Sequence, residues 1–165
     1  MSSRAEMRVR LAHMWYIEGF HAEVTGMQAT FDIGPMVRKY SAIPGEQLQV
    51  IRDITVFQLS KINRGIVLIF AAGSGHSVMA LQRLTGSLSK RDLDFLEIKV
   101  IDIESMTVQD MIRLFGRVFH GYGETLWIRA GMVVAQLEAF APESEPLILS
   151  YTKKLLAEQP GEPTQ

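Results

Sequence analysis

The chain has 165 residues, of which 47% are hydrophobic and 21% charged, and it carries a net charge of −1 and no cysteine. This length and composition fit one soluble domain with a single core, and the near-neutral charge argues against nucleic acid or an anionic membrane as a partner. The lack of cysteine excludes disulfides, thiolate catalysis and cysteine-ligated metals. No apolar run approaches the roughly 20 residues that cross a bilayer, and no secretory signal is recognisable, so we expect a cytoplasmic protein.

Residues 1–60 are predicted to form a mainly helical extension that packs on the rest of the chain and is a candidate for self-association. Apolar residues at helical spacing predict a helix from Ala5 to about Phe20. Trp15 and Tyr16 in this helix are candidates for contact with another protein, because an amphipathic helix can lie in a partner's groove. The alternative is that its apolar stripe packs on the chain's own core.

The rest of the extension gives weaker patterns. Alternation over Met27–Ile33 predicts a short strand, and Gln47–Asn63 is assigned to a helix, although Ile54–Phe57 has strand propensity. Residues 61–157 are predicted to form an α/β domain, and residues 158–165 a disordered tail.

The predicted domain is organised around its first strand and the turn that follows it. Ile66–Phe70 are five successive apolar residues, which is typical of a strand buried on both faces. Ala71–Gly75 contains two glycines and a serine and predicts a tight turn. Val78–Ser89 then has the apolar spacing of a helix.

A second strand, a helix, a hairpin and a last helix follow. Leu93–Ile103 alternates with period two and is predicted to run parallel to Ile66–Phe70, because a helix crosses between them. Glu124–Arg129 and Met132–Leu137 predict a hairpin whose second strand lies at a sheet edge. The helices before and after the hairpin are predicted to turn these apolar residues inward: Val108, Met111, Ile112, Phe115 and Phe119, then Leu147, Ile148, Tyr151, Leu155 and Leu156.

This β-α-β-α-β-β-α order resembles the thioredoxin fold over a little more than half of the chain. Ile66–Ala72 is similar to the strand that leads into the redox turn of that family, and Val100–Ile103 to the second parallel strand with its acidic end. Glu124–Ala135 is similar to the closing hairpin. The resemblance implies an α/β, thioredoxin-like core, here with an N-terminal helical extension.

Two departures from the family pattern bear on function. The two redox cysteines are expected near Gly73–Ser77, where this chain has Gly-Ser-Gly-His-Ser, so disulfide exchange is excluded. Glu124 stands where the family has a cis-proline. Because a non-proline cis bond costs about 2.5–4 kcal/mol, we expect a trans peptide and a remodelled loop.

Two cysteine-independent groups of the superfamily show further similarity. Ala72–Leu84 and Val100–Ile103 are similar to stretches of the circadian clock protein KaiB, although the connection from Ile103 to the hairpin is longer here. The strand and hairpin pattern also resembles thioredoxin-like accessory proteins of hydrogenase maturation, which act as chaperones. Both similarities imply protein binding without redox chemistry.

The turn contains one candidate ligand site. Ser74, Gly75, His76 and Ser77 lie at a predicted helix N-terminus, where free N–H groups favour an anion. The alternative is that Ser74 or Ser77 only caps the helix.

The resemblance to the thioredoxin fold also implies that the turn Gly73–Ser77 faces the loop His120–Glu124. His76, His120 and Glu124 could then converge as ligands of the types that suit zinc or as a general acid–base pair. Their spacing matches no recognised metal motif, and each histidine could simply be a surface or loop residue. Asp102, at the end of its strand, is a candidate for a buried carboxylate or for a capping residue.

Tyr122 and Trp127 are the remaining candidates for contact with another protein, with core packing as the alternative for Trp127. We therefore expect a non-enzymatic adaptor or chaperone-like module that binds another protein and self-associates, without cofactor or metal. The alternative is a small ligand-binding protein or enzyme that uses the Gly73–Ser77 turn with His76, His120 and Glu124.

Overall fold

The computed structural model of the protein describes residues 31–157. The strands are β1 Leu48–Ile51, β2 Arg64–Phe70, β3 Glu97–Asp102, β4 Thr125–Arg129 and β5 Met132–Leu137. The helices are α1 Gly34–Tyr40, α2 Gly75–Ser87, α3 Lys90–Leu93, α4 Val108–Phe115 and α5 Glu145–Leu156. The predicted helix with Trp15 and Tyr16, and the predicted tail, lie outside these residues.

The strands form one mixed sheet in the order β1-β3-β2-β4-β5. β2 pairs in parallel with β3, with Ile66 opposite Ile98, and antiparallel with β4, with Ile66 opposite Trp127. The predicted parallel pair and the predicted hairpin are therefore confirmed. β5 lies at one edge of the sheet, as predicted, and β1 lies at the other.

Side chains of β2 alternate between two cores, one on each face of the sheet. Ile66, Leu68 and Phe70 point to the face covered by α1, α2 and α5, where Leu81 and Ile148 are buried. Val67 and Ile69 point to the opposite face, covered by α4 and by short 3-10 turns. A strand flanked on both edges and covered on both faces has no polar surface, which explains its continuous apolar run.

The segment between α1 and β2 differs from its prediction. Gln47–Asn63 contains strand β1 and two 3-10 turns, Ile54–Val56 and Leu59–Lys61, so the predicted helix was wrong. β1 pairs with β3 along its whole length, from Leu48 opposite Ile98 to Ile51 opposite Ile101. The sheet therefore includes a strand from the segment that the sequence analysis assigned to the extension.

Two predicted apolar stripes are only partly buried. Met111 of α4 and Ile148 of α5 face the cores as predicted. Val108 and Ile112, one turn apart on α4, and Leu147 on α5 are exposed instead. These helices lie on the sheet with a narrow face, so the outer residues of each stripe remain in solvent.

The turn of the β4–β5 hairpin has the backbone that its residues predict. Ala130 and Gly131 have φ values of 49° and 77°. Two successive left-handed residues are characteristic of the two-residue hairpin turn that matches strand twist.

Among the described residues, no helix is long and apolar enough to cross a membrane.

Candidate functional site

The turn after β2 is held by its two serines. Ser74 is the N-cap of α2, and its hydroxyl accepts a hydrogen bond from the Ser77 N–H at 3.3 Å. The Ser77 hydroxyl is buried; it accepts from the Ala71 N–H and donates to the Gly121 carbonyl, both at 3.1 Å. Ser74 is therefore the residue that caps α2, whereas the Ser77 hydroxyl ties the turn to the loop before β4.

That loop, His120–Gly123, fits against α2 because it contains two glycines in the left-handed region. Gly121 and Gly123 have φ values of 78° and 77°. A Cβ on Gly123 would lie 2.7 Å from the Cβ of Ala80 and 2.9 Å from the carbonyl oxygen of His76. Only glycine satisfies both the conformation and this close approach.

Glu124 fixes the same loop from inside. Its side chain is 2% exposed, and its carboxylate accepts hydrogen bonds from the His120 N–H at 2.6 Å and from the Tyr122 N–H at 2.8 Å. No described peptide bond is cis, so the predicted trans peptide at Glu124 is confirmed. A buried carboxylate that binds backbone amides is a loop anchor rather than a group available to a ligand.

Three exposed rings come together on the surface of this loop and turn. The ring of Tyr122 lies edge-on to His76, with centroids 6.1 Å apart, and tilted against His120, with centroids 6.0 Å apart. Tyr122 is 52% exposed, and both histidines are also exposed. We call His76, Tyr122 and His120 the aromatic cluster.

The cluster is connected to the chain beyond β5. Nδ1 of His76 lies 3.1 Å from the carbonyl oxygen of Phe140, and since a carbonyl only accepts, Nδ1 carries the proton and donates. The Phe140 N–H donates in turn to the Tyr122 carbonyl at 2.8 Å. The sequence analysis missed Phe140, because a residue that acts through its backbone leaves no signal in the side-chain pattern.

The predicted convergence of His76, His120 and Glu124 is not what the structure shows. Tyr122 lies between the two histidine rings, and Glu124 turns inward to the loop amides. Within residues 31–157, no group of three His, Cys, Asp or Glu side chains is placed to hold a metal ion.

The other predicted residues have structural roles. Trp127 is fully buried, its Nε1–H donates to the Thr152 hydroxyl at 3.1 Å, and its ring packs edge-on against Tyr151. The core alternative for Trp127 is confirmed, and a contact with another protein through this side chain is excluded in the folded unit. Asp102 accepts from the Glu104 N–H at 3.0 Å as a capping residue. Its partial burial raises the pKa of its carboxyl group.

Two surface cavities lie away from the aromatic cluster. One, of ≈ 410 Å³, is lined by residues at the start of β2 and β3, including Phe95 and Arg64. The other, of ≈ 190 Å³, lies beside β1 and includes Gln49 and Lys99. Neither cavity is lined by a residue of the cluster.

Comparison with known proteins identifies solved structures with a similar fold. No family profile and no curated protein matches the sequence. The thioredoxin of Malassezia sympodialis, Mala s 13, is a similar solved structure, with a TM-score of 0.50 and 12% identity over 64% of this chain and 90% of its own. Desulfothioredoxin from Desulfovibrio vulgaris Hildenborough has a TM-score of 0.48 and 16% identity over 67% of this chain and 96% of its own. This protein has a thioredoxin-like fold.

The absence of cysteine limits the chemistry that the turn after β2 can perform in this thioredoxin-like fold. The predicted α/β class is confirmed, and the chain contains no thiol anywhere in its sequence. Thiol–disulfide exchange, which requires a thiolate, is therefore excluded for this thioredoxin-like chain. The narrower similarities to KaiB and to hydrogenase accessory proteins stay predictions.

Proposed function

We propose that this protein is a non-enzymatic adaptor or chaperone-like module that binds another protein through the aromatic cluster. The observation that carries the proposal is the exposure of three rings, in which Tyr122 contacts both His76 at the start of α2 and His120 in the loop that the fold holds in place. Aromatic side chains that are rigid and exposed bury large areas on binding and lose little conformational entropy, which makes them common hot spots.

The polar groups beneath the cluster support binding rather than chemistry. The Ser77 hydroxyl is used in two hydrogen bonds within the fold, and both oxygens of Glu124 accept from backbone amides. An acid, base or nucleophile must instead be within reach of a substrate. The buried groups therefore shape the surface, and the exposed rings are left to make contacts.

The test is quantitative capture of partners by the full chain and by two variants. Tyr122→Ala removes the central ring of the cluster, while Phe95→Ala removes another exposed ring in a loop that contains no cluster residue. We expect a partner that binds the wild type and Phe95→Ala equally, and that binds Tyr122→Ala about 30-fold more weakly, since a hot-spot truncation costs about 2 kcal/mol.

Native mass spectrometry and elemental analysis of the protein purified from its own cell distinguish the adaptor proposal from the ligand-binding alternative. A stoichiometric protein partner without metal or small molecule is the expected result. A retained metal or small molecule that is lost from a His76→Ala, His120→Ala double variant would overturn the adaptor proposal. That result would favour the ligand-binding alternative built on the Gly73–Ser77 turn.

A further inference from the structure

We propose that the ≈ 190 Å³ cavity beside β1 binds a free aliphatic α-amino acid. The lining of this cavity comes from β1, from the segment between β1 and β2 that contains the two 3-10 turns, and from β3. None of the lining residues belongs to the aromatic cluster. The inference therefore goes beyond the proposed function and does not rest on it.

The floor of the cavity includes a polar row on a mainly apolar face of the sheet. Lys99 lies in register between Gln49 of β1 and Val67 of β2, and Val67 is buried in the core on this face. Only 13% of the Lys99 side chain is exposed, and its ammonium group donates to the Glu97 carboxylate at 2.8 Å and to the Gln49 amide oxygen at 2.7 Å. Because an ion pair in a covered site often stabilises a fold no more than apolar side chains do, folding alone does not account for this row.

The ammonium group of Lys99 keeps one donor for a molecule in the cavity. A lysine ammonium group has three N–H bonds, and Glu97 and Gln49 are the two acceptors that the described residues supply. The third N–H is therefore available to water or to a ligand in the cavity that Lys99 lines. A carboxylate oxygen suits this position, because hydrogen bonds between ionised groups are the stronger ones.

Two further side chains give the cavity one unmatched charge of each sign. Lys61 and Asp53 both line it, and neither forms an ion pair with another residue of the described part of the chain. One carboxylate oxygen of Asp53 accepts from the N–H and the hydroxyl of Thr55, at 2.9 and 2.5 Å, which leaves the other oxygen for a ligand. An amino acid carries a carboxylate that Lys61 and Lys99 can bind and an ammonium group that Asp53 can bind. A ligand with a single charge would leave one of these groups unused.

The volume and the apolar part of the lining select an aliphatic side chain. Ile51, Phe57 and Ile62 line the same cavity, and an apolar group placed against them is removed from water. The volume is below the roughly 300–1,000 Å³ of pockets that enclose drug-sized molecules. A small amino acid such as leucine therefore fits the volume, the charges and the apolar wall, whereas a nucleotide or a folded peptide is too large.

The first experiment follows the amide signals of the isotope-labelled full chain by NMR while L-leucine is added. We expect a saturable shift of the signals of Gln49, Phe57 and Lys99, with a Kd of about 0.1–1 mM, since a ligand with so few atoms binds weakly. Isovalerate, which lacks the ammonium group, and isoamylamine, which lacks the carboxylate, should each bind at least about 10-fold more weakly. Leucine bound with this affinity is lost during purification, so it is distinct from the retained small molecule that would overturn the adaptor proposal.

Variants that remove one charge each test the residues of the site. Lys61→Gln and Asp53→Asn change exposed side chains, and each should weaken leucine binding about 10-fold. Asp53→Asn keeps an oxygen that can accept from Thr55, and Lys99→Met, which removes the ammonium group from the floor, should also weaken binding. Lys90→Gln, at an exposed position of α3 outside the cavity, is the matched control for Lys61→Gln and should bind leucine as the wild type does.

Three results would each overturn the proposal. The first is the absence of a saturable shift at the cavity when leucine is added. The second is unchanged leucine binding in either Lys61→Gln or Asp53→Asn. The third is binding of isovalerate or inorganic phosphate as tight as that of leucine, which would make the cavity a general anion site.

Discussion

Glu124 gives a prediction at the scale of one residue, since its carboxylate is buried and binds two backbone amides. Glu124→Ala leaves both N–H groups without this acceptor and should lower the free energy of unfolding by about 2–3 kcal/mol. Glu124→Gln keeps one accepting oxygen and should lose about half as much. Urea denaturation measures both variants.

The control for Glu124 is the exposed Glu143. Glu143→Ala should change the free energy of unfolding by less than about 0.5 kcal/mol, as is usual for exposed positions. Equal stabilities of Glu124→Ala and Glu143→Ala would show that the two amide hydrogen bonds do not anchor the loop.

Two glycines give a prediction at the scale of elements, because the same substitution should have opposite effects in a loop and in a helix. Gly123 has a positive φ, and a Cβ there would lie 2.7 Å from Ala80 of α2. Gly123→Ala should therefore destabilise the fold by more than about 2 kcal/mol. Gly86 lies within α2 with nothing within 4 Å of an added Cβ, so Gly86→Ala should stabilise by about 0.5–1 kcal/mol.

Thermal unfolding of the two alanine variants checks this expectation. The midpoint should fall for Gly123→Ala and rise for Gly86→Ala. A Gly123→Ala variant as stable as the wild type would mean that the loop can move away from α2, and that the aromatic cluster is not held in place.

The elements also show what the sequence could predict. β2, the parallel pair and the hairpin have local signals, namely an apolar run, a period-two pattern and the Ala130-Gly131 turn, and all three were confirmed. β1 was missed because its four residues contain no complete strand pattern, and its pairing with β3 depends on residues about 50 positions away. The inward turn of Glu124 was missed for a different reason: its amide partners, His120 and Tyr122, are near in sequence but converge on the carboxylate only in the folded loop.

At the scale of the whole molecule, acid should destabilise the fold partly through Asp110. The pKa of the Asp110 carboxyl group is lowered from 3.8 to about 2 by the hydrogen bonds that it accepts. The largest effect comes from the Thr107 hydroxyl, followed by the Thr107 N–H and Arg113. A carboxyl group with a lowered folded-state pKa stabilises the fold above its unfolded pKa and loses that effect as the pH falls through the folded pKa. Asp110→Asn should thus be less stable than the wild type at neutral pH and equally stable once the pH has fallen below about 2.

Urea midpoints at a series of pH values between these limits measure the difference, with Gln109→Ala, at the neighbouring exposed position, as the control. A deficit of Asp110→Asn that stays constant down to the lowest pH would contradict the expectation. It would mean that the ionised form of Asp110 contributes nothing beyond its neutral hydrogen bonds.

The position of α5 has a consequence for how the protein is made. Ile148 and Leu155 of this helix complete the core on one face of the sheet, and Thr152 supplies the hydrogen-bond partner of the Trp127 indole. Arg129 donates to the carbonyl groups of Lys154, Leu155 and Ala157 at the end of the same helix. During synthesis these residues leave the ribosome after all five strands, so the part of this face that α5 covers stays exposed until the helix has been made.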